Sequence, residues 1–175
     1  MMRLMDELEI THFGTSAKYL SILEQKSVQP LQQQPDGTPA SSLKTLQAIY
    51  STGSPLAPST FSYVYENFPS TVQLSSITGG TDIISLFGAP NPLLPVYRGE
   101  IQAPGLGMHL AAYDADIHTS STTTAADHEV APGESGDLVC LSPFICQPTT
   151  FFGSNGDALY KKAYFEEFEH LPKPI

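Results

Sequence analysis

The sequence predicts an α/β fold: a mixed sheet with helices, and a small antiparallel β subdomain following it. Three observations lead there. A strand–helix–strand unit runs from Leu46 to Ile77, and its helix places Phe61, Val64, Tyr65 and Phe68 at the i, i+3, i+4, i+7 spacing of one buried face. Two loops bearing glycine and hydroxyls, Ser51-Thr52-Gly53-Ser54-Pro55 and Ser75-Ser76-Ile77-Thr78-Gly79-Gly80-Thr81-Asp82, each follow a short apolar run. Such loops at the carboxyl ends of neighbouring strands are where an open α/β sheet binds ligands. After Pro95 the pattern changes to short β-like segments separated by turns.

Taken in order, Leu4-Met5-Leu8 reads as the last turns of a helix leading into a short strand around Ile10–Phe13. Gly14-Thr15 is expected to turn the chain, with Thr15 or Ser16 capping a helix that carries Tyr19, Leu20, Ile22 and Leu23. Gln29 to Ser42 is a polar surface connection containing a Pro35-Asp36-Gly37 turn. Leu46–Ser51 reads as a strand, Ser59 as the opening of the next helix, and Val72–Ile77 as the strand after it. Gly99–Gln102, Met108–Asp114 and Asp137–Leu141 read as further strands. Their connections are a Pro104-Gly105-Leu106-Gly107 turn and a Ser/Thr/Ala-rich loop from Ile117 to Gly136, whose low apolar content predicts disorder. Ser154-Asn155-Gly156-Asp157 turns into a last helix with Leu159, Tyr160, Ala163, Tyr164 and Phe168. No internal repeat is visible. The expected division is an α/β part over 1–95, a small β subdomain over 96–143 with its flexible loop at 117–136, and a terminal loop and helix over 144–175.

A chain of 175 residues can bury the core of one domain. The net charge of −10 and a pI near 4.7 argue against nucleic-acid or anionic-membrane partners, which need a basic patch. The eight Lys and Arg are scattered and form no visible phosphate clamp. Cys140 and Cys146, the only cysteines, read as free thiols of a reducing compartment. No targeting pattern opens the chain, and Pro90, Pro92 and Pro95 break the best apolar run, so a soluble, cytoplasmic protein is expected.

Two loops carry candidate chemistry. Thr78-Gly79-Gly80-Thr81-Asp82 suits a nucleotide, with Thr81 on a phosphate and Asp82 on Mg²⁺; it equally suits a strand-to-helix turn capped by Asp82. Gly53-Ser54-Pro55 offers flat backbone to an adenine ring, or is ordinary turn punctuation before a helix. Phe13-Gly14-Thr15-Ser16-Ala17-Lys18 has the ingredients of a phosphate loop without its spacing and reads as a capped helix. Asp116, His118, Asp127, His128 and Glu129 lack metal-ligand spacing and read as a solvated loop. No serine-hydrolase elbow is present, and His12, His109 and His170 are isolated.

Read together, these loops resemble the acetoacetyl-CoA synthetase (acetoacetate–CoA ligase) family of the adenylate-forming acyl-CoA synthetases. The resemblance is carried by Thr11-His12-Phe13-Gly14-Thr15-Ser16-Ala17-Lys18-Tyr19-Leu20, Ser51–Leu56 and Thr78–Ile83. It continues through Leu94–Gln102, Gly105–Met108, Gly136–Cys140 and Ala163-Tyr164-Phe165, in the family's order over nearly the whole chain. It implies part of the large N-terminal domain of an adenylate-forming enzyme, as a central fragment. It also implies a two-step reaction, in which acetoacetate and ATP give acetoacetyl-AMP and pyrophosphate, and coenzyme A then displaces AMP.

Carried over by position, the resemblance implies that Gly53, Ser54 and Pro55 line the adenine site, with Thr78, Gly79 and Gly80 in the nucleotide loop. Thr81 would contact the α-phosphate as the catalytic position, and Asp82 would stand where the superfamily's Mg²⁺-binding Glu lies. Thr78 occupies the place where relatives often carry an aromatic that stacks on adenine, a departure from the family's pattern at that contact. Thr52 and Gly79 would line the acyl pocket; glycine where acetyl-CoA synthetases carry tryptophan leaves room for acetoacetate or a similar short acid. The cofactors implied are ATP, Mg²⁺ and coenzyme A. The family's phosphate loop is expected upstream of Met1, and its ribose-binding motif and mobile C-terminal domain beyond Ile175. A fragment without these is expected to be inactive alone and to self-associate through open edges. The rival readings are a non-catalytic remnant that still binds nucleotide or acyl groups, or an unrelated α/β domain with similar loops.

Overall fold

A computed structural model describes residues 1–33, 37, 40–114 and 129–166. Within these the order is α1 (Met2–Glu7), β1 (His12–Ser16), α2 (Ala17–Gln25), β2 (Ala48–Thr52), α3 (Pro58–Asn67), β3 (Gln73–Ser76) and β4 (Thr78–Gly80). Then follow β5 (Ser85–Ala89), β6 (Ala103–Pro104), β7 (Leu110–Tyr113), β8 (Asp137–Cys140) and α4 (Gly156–Tyr164). The chain divides into two compact units, Met1–Gly79 with Gly88–Gly105, and Gly80–Phe87 with the residues from Leu106 onward.

The first unit is built on a parallel sheet in the order β1-β2-β3. Phe13, Ile49 and Leu74 form one rung of it. Leu20 and Leu23 of α2 and Phe61 and Val64 of α3 join Ile49 and Leu74 in one core, with Phe13 packed against it. Alternation along a strand sends Tyr50 to the opposite face, where its ring stacks on His12 at 6.0 Å. The β2–α3–β3 unit is therefore the parallel crossover that its apolar spacing predicts.

Local chemistry explains the boundaries that differ from expectation. Gly14 and Thr15 lie inside β1, not in a turn, because Ser16 is itself extended and caps α2 directly, its Oγ accepting the Tyr19 N–H at 3.1 Å. The segment with phosphate-loop ingredients is thus a strand running into a capped helix. Helix α3 opens at Pro58, not Ser59: proline presets the helical φ, and its missing N–H is one the first turn leaves unpaired anyway. Tyr63 donates to the Val28 carbonyl at 2.6 Å, and Asp6 accepts the Ser42 and Leu43 N–H groups at 2.6 Å each, pinning both ends of the polar connection. Pro35 and Asp36 of its expected turn lie outside the described residues.

Residues 88–105 belong to the first unit. Gly88 and Ala89 pair antiparallel with Pro104 and Ala103. Gly88 is required by close approach: a Cβ there would stand 2.7 Å from Ile101 Cγ2 and 2.9 Å from Thr78 Cγ2. The strand expected at 99–102 does not form, and the Gln102 side chain explains why. Its amide donates to the carbonyls of Asn91 (3.0 Å) and Leu94 (2.9 Å), and its Oε1 accepts the Asn91 N–H and Gln73 Nε2 at 3.1 Å each. Side-chain bonding has replaced ladder bonding there.

In the second unit β7 and β8 pair antiparallel, with Tyr113 opposite Asp137, and Ala111, Tyr113 and Val139 form a small core. Val130 N–H donates to the Ala112 carbonyl at 2.9 Å, so the chain returns along β7 before β8. The intervening residues 117–128 of the expected flexible loop lie outside the described residues, as does Phe168. Helix α4 carries an aromatic cluster in which Tyr160 meets Phe151 and Phe165 at 5.3 Å each.

Candidate functional site

The candidate residues follow from where β2 and β3 end. Ser51 and Ser76 are the last paired rung, and the Ile77 N–H donates to the Ser51 carbonyl at 2.8 Å. Beyond this rung Thr52, Gly53, Ser54 and Pro55 are all exposed, while Leu56 returns to the core. Gly53 has φ +88°, a left-handed conformation that glycine adopts without penalty, and its Cβ position faces open space. Bare backbone is thereby presented just outside the carboxyl edge of a parallel sheet. Thr52 is in register with Ser16 of β1. Ser51 is fully buried, and its Oγ is the one buried side-chain oxygen without a partner among the described residues.

Thr78 and Gly79 lie in the first unit, half-buried and exposed respectively; Gly80, Thr81 and Asp82 lie in the second, all exposed. The glycine pair sits in β4, and the turn after it leads into strand β5. No helix follows, so the reading of Asp82 as a helix cap does not hold. The turn is closed by the Ile84 N–H donating to the Thr81 carbonyl at 3.3 Å, and Ile83 within it is buried. Ile84 adopts φ +48°, unfavourable for a β-branched side chain, and is 92% exposed.

Asp82 accepts a hydrogen bond on Oδ2 from the Tyr164 hydroxyl at the end of α4. That bond, with burial behind it, pushes the Tyr164 hydroxyl up to about 12. Sequence spacing gives no sign of a partnership across 82 residues; the sequence marks Tyr164 as a residue of the last helix and of the Ala163-Tyr164-Phe165 run, not as a partner of Asp82. Gln102 was equally hidden.

No group of three or more His, Cys, Asp or Glu residues converges among the described residues. Asp116, His118, Asp127 and His128 lie outside them, as does His170, while Glu129 bridges to Tyr113 through its backbone. Asp82 is thus a single exposed carboxylate. It fits a Mg²⁺ that arrives with phosphates, which needs only one or two protein carboxylates, and does not fit a stand-alone metal cage. Cys140 and Cys146 are free, and no described helix is long and apolar enough to cross a membrane.

A parallel crossover sheet with glycine- and hydroxyl-bearing turns at its carboxyl edge, joined to small antiparallel sheets, is the architecture of part of an adenylate-forming enzyme. The solved acetoacetyl-CoA synthetase from Streptomyces lividans matches it with a TM-score of 0.75 and 30% identity, over 95% of this chain and 24% of that one. Among curated proteins, acetoacetyl-CoA synthetase from Danio rerio is 46% identical over 167 residues, covering 94% of this chain and 22% of its own length. Malonamoyl-CoA synthetase from Penicillium aethiopicum is 45% identical over 168 residues, covering 96% of this chain and 20% of its own length. No family model matches. The chain is therefore homologous to a segment of the acetoacetyl-CoA synthetases, and spans about a fifth of the length of the curated relatives it matches.

Proposed function

We propose that this chain supplies nucleotide- and acyl-binding elements of an ATP-dependent, AMP-forming acetoacetate–CoA ligase. What carries the reading is 46% identity to an acetoacetyl-CoA synthetase over 167 residues, 94% of this chain. In the proposed reaction the acid's carboxylate attacks the α-phosphate of ATP, releasing pyrophosphate and forming the acyl-adenylate. The thiol of coenzyme A then takes the acyl group and releases AMP.

Gly53, Ser54 and Pro55 would hold the adenine ring against backbone, with Thr78, Gly79 and Gly80 completing the nucleotide loop. The Thr81 hydroxyl would donate to the α-phosphate, and Asp82 would hold the Mg²⁺ that accompanies ATP. That ion supplies charge neutralisation on the phosphates. None of these side chains is cationic, whereas phosphoryl chemistry needs positive charge where charge develops. We therefore assign the chain binding and not turnover by itself. A non-catalytic nucleotide- or acyl-binding protein is the second reading, favoured by the absence of a cationic side chain among these loop residues.

For the acid, Thr52 and the side-chain-free Gly79 leave space consistent with a short chain. Acetoacetate and malonamate, the acids implied by the names of the two kinds of relative, share a carbonyl two carbons from the carboxylate and differ only as methyl and amino. We infer a substrate class of short 3-carbonyl acids. Free thiols support a reducing, cytoplasmic setting. Exposed Leu93, Leu106, Ile145 and Phe152 support self-association.

The test is titration of the chain with a non-hydrolysable acetoacetyl-adenylate analogue. Binding weakened at least tenfold by Gly79→Trp, which fills the proposed pocket, is the expected result. Binding indifferent to Gly79→Trp sinks the acyl assignment, and no binding at all leaves only the scaffold.

A further inference from the structure

We propose that Tyr164 is a positioning residue for the Asp82 carboxylate, holding one oxygen so that the other is presented to a phosphate-borne divalent cation. The proposal rests on the reading of Asp82 above. Its geometry lies wholly within the second unit.

Asp82 stands on a short exposed turn, where a carboxylate would ordinarily sample several rotamers. Tyr164 removes that freedom by donating to Oδ2. The tyrosine is itself held. Its ring meets Phe151 edge-on at 6.0 Å and Tyr160, one helical turn earlier, at 5.6 Å, while Phe151 and Tyr160 touch at 5.3 Å. Tyr160 and Tyr164 lie at i and i+4 on α4, so the helix sets their spacing. The hydroxyl is thus delivered from a three-ring cluster. Among the described residues Tyr164 is the hydrogen-bond partner Asp82 has, and no Lys or Arg pairs with it, so Oδ1 keeps its lone pairs for a ligand. Partners of this kind orient metal-binding carboxylates, and losing one costs roughly 10–100-fold in metal affinity.

The experiment is calorimetric titration of the 175-residue chain with ATP at stepped Mg²⁺ concentrations, beside adenosine without metal. Tyr164→Phe keeps the ring packing and removes only the hydroxyl. It is expected to raise the half-saturating Mg²⁺ concentration for ATP binding by about tenfold and to leave adenosine affinity unchanged. A purely structural role would move both or neither. An unchanged Mg²⁺ dependence in Tyr164→Phe, where Asp82→Asn loses it, overturns the positioning role while sparing the reading of Asp82. A lowered half-saturating concentration overturns it too, since the hydroxyl would then be a competitor. If Asp82→Asn also changes nothing, or if the unaltered chain shows no Mg²⁺-dependent ATP binding, the reading of Asp82 fails and this inference falls with it.

Discussion

Thr60 Oγ1 donates to Glu24 Oε2 at 2.5 Å, joining α3 to α2 where Thr60 is 1% exposed. A hydrogen bond to a charged acceptor is worth about 1.5–3 kcal/mol, and the Glu24 carboxylate loses that bond when the hydroxyl goes. Thr60→Val keeps the shape and removes the donor. It should lower the unfolding free energy by roughly 2 kcal/mol with an unchanged denaturant slope, measured by urea titration. A loss below about 0.5 kcal/mol would mean that water replaces the threonine without penalty.

Tyr63 makes the neighbouring tie, donating to the Val28 carbonyl at 2.6 Å. Burial, with smaller contributions from Tyr19 and Glu24, pushes its hydroxyl from 10.0 up to about 12. The folded state therefore holds this proton more tightly than the unfolded chain does. Its stabilising contribution is complete below pH 10 and is lost as pH rises from 10 towards 12. Stability should fall across that window by up to about 2–3 kcal/mol, and Tyr63→Phe should flatten the fall. Tyr164 titrates in the same window, so Tyr63→Phe with Tyr164→Phe should flatten it further. An equal alkaline slope in all three proteins would contradict the assignment.

The parts legible in the sequence are those whose cause is local. The i, i+3, i+4, i+7 face of Phe61, Val64, Tyr65 and Phe68 specifies α3 because it must be buried, and the strands flanking it then pair parallel. The capped helix after Ser16 and the exposed Gly53 turn are local for the same reason. What stayed hidden depends on distant partners. Nothing near Gln102 announces that its amide serves Asn91, Leu94 and Pro95 in place of a strand ladder. Nothing near Asp82 announces Tyr164, and the glycine pair beside it suggested a turn into a helix where the chain makes β4 and β5.

Gly53 separates a conformational requirement from a steric one. At φ +88° an L side chain is strained, yet a Cβ there would meet nothing within 4 Å. Gly53→Ala should therefore cost about 1–2 kcal/mol of stability through the backbone alone. It should also weaken adenosine binding about tenfold if the bare backbone is what the ring lies against. Gly14→Ala is the control: its Cβ also meets open space, but in an extended strand, so both quantities should stay near the unaltered values. Loss of stability in Gly53→Ala with full adenosine affinity would keep the turn and remove the adenine assignment.

Gln102 needs both ends of its amide, which makes its charge-altering isostere a sharper test than its deletion. The Nε2 end donates its two hydrogens to the carbonyls of Asn91 and Leu94, one of them shared with the Pro95 carbonyl at 3.3 Å, and the Oε1 end accepts from Asn91 N–H and Gln73 Nε2. Gln102→Glu preserves the accepting end but sets a carboxylate oxygen against three carbonyl oxygens, with no donor left among them. Gln102→Met removes both ends, leaving backbone groups that reach water when the 91–95 segment loosens. Gln102→Glu should thus be the more damaging at pH 7, by about 1–3 kcal/mol relative to Gln102→Met. Protonating the new carboxylate restores one donor, so the Glu variant should recover part of the difference as pH falls towards 4. Hydrogen exchange at Asn91 and Leu94 reads the same event locally: their amides should exchange faster in both variants while those of Ile49 and Leu74 in the core keep their protection. Equal stability of the two variants across pH 4–7 would show that the Nε2 bonds contribute little, and that the segment is held by its apolar contacts instead.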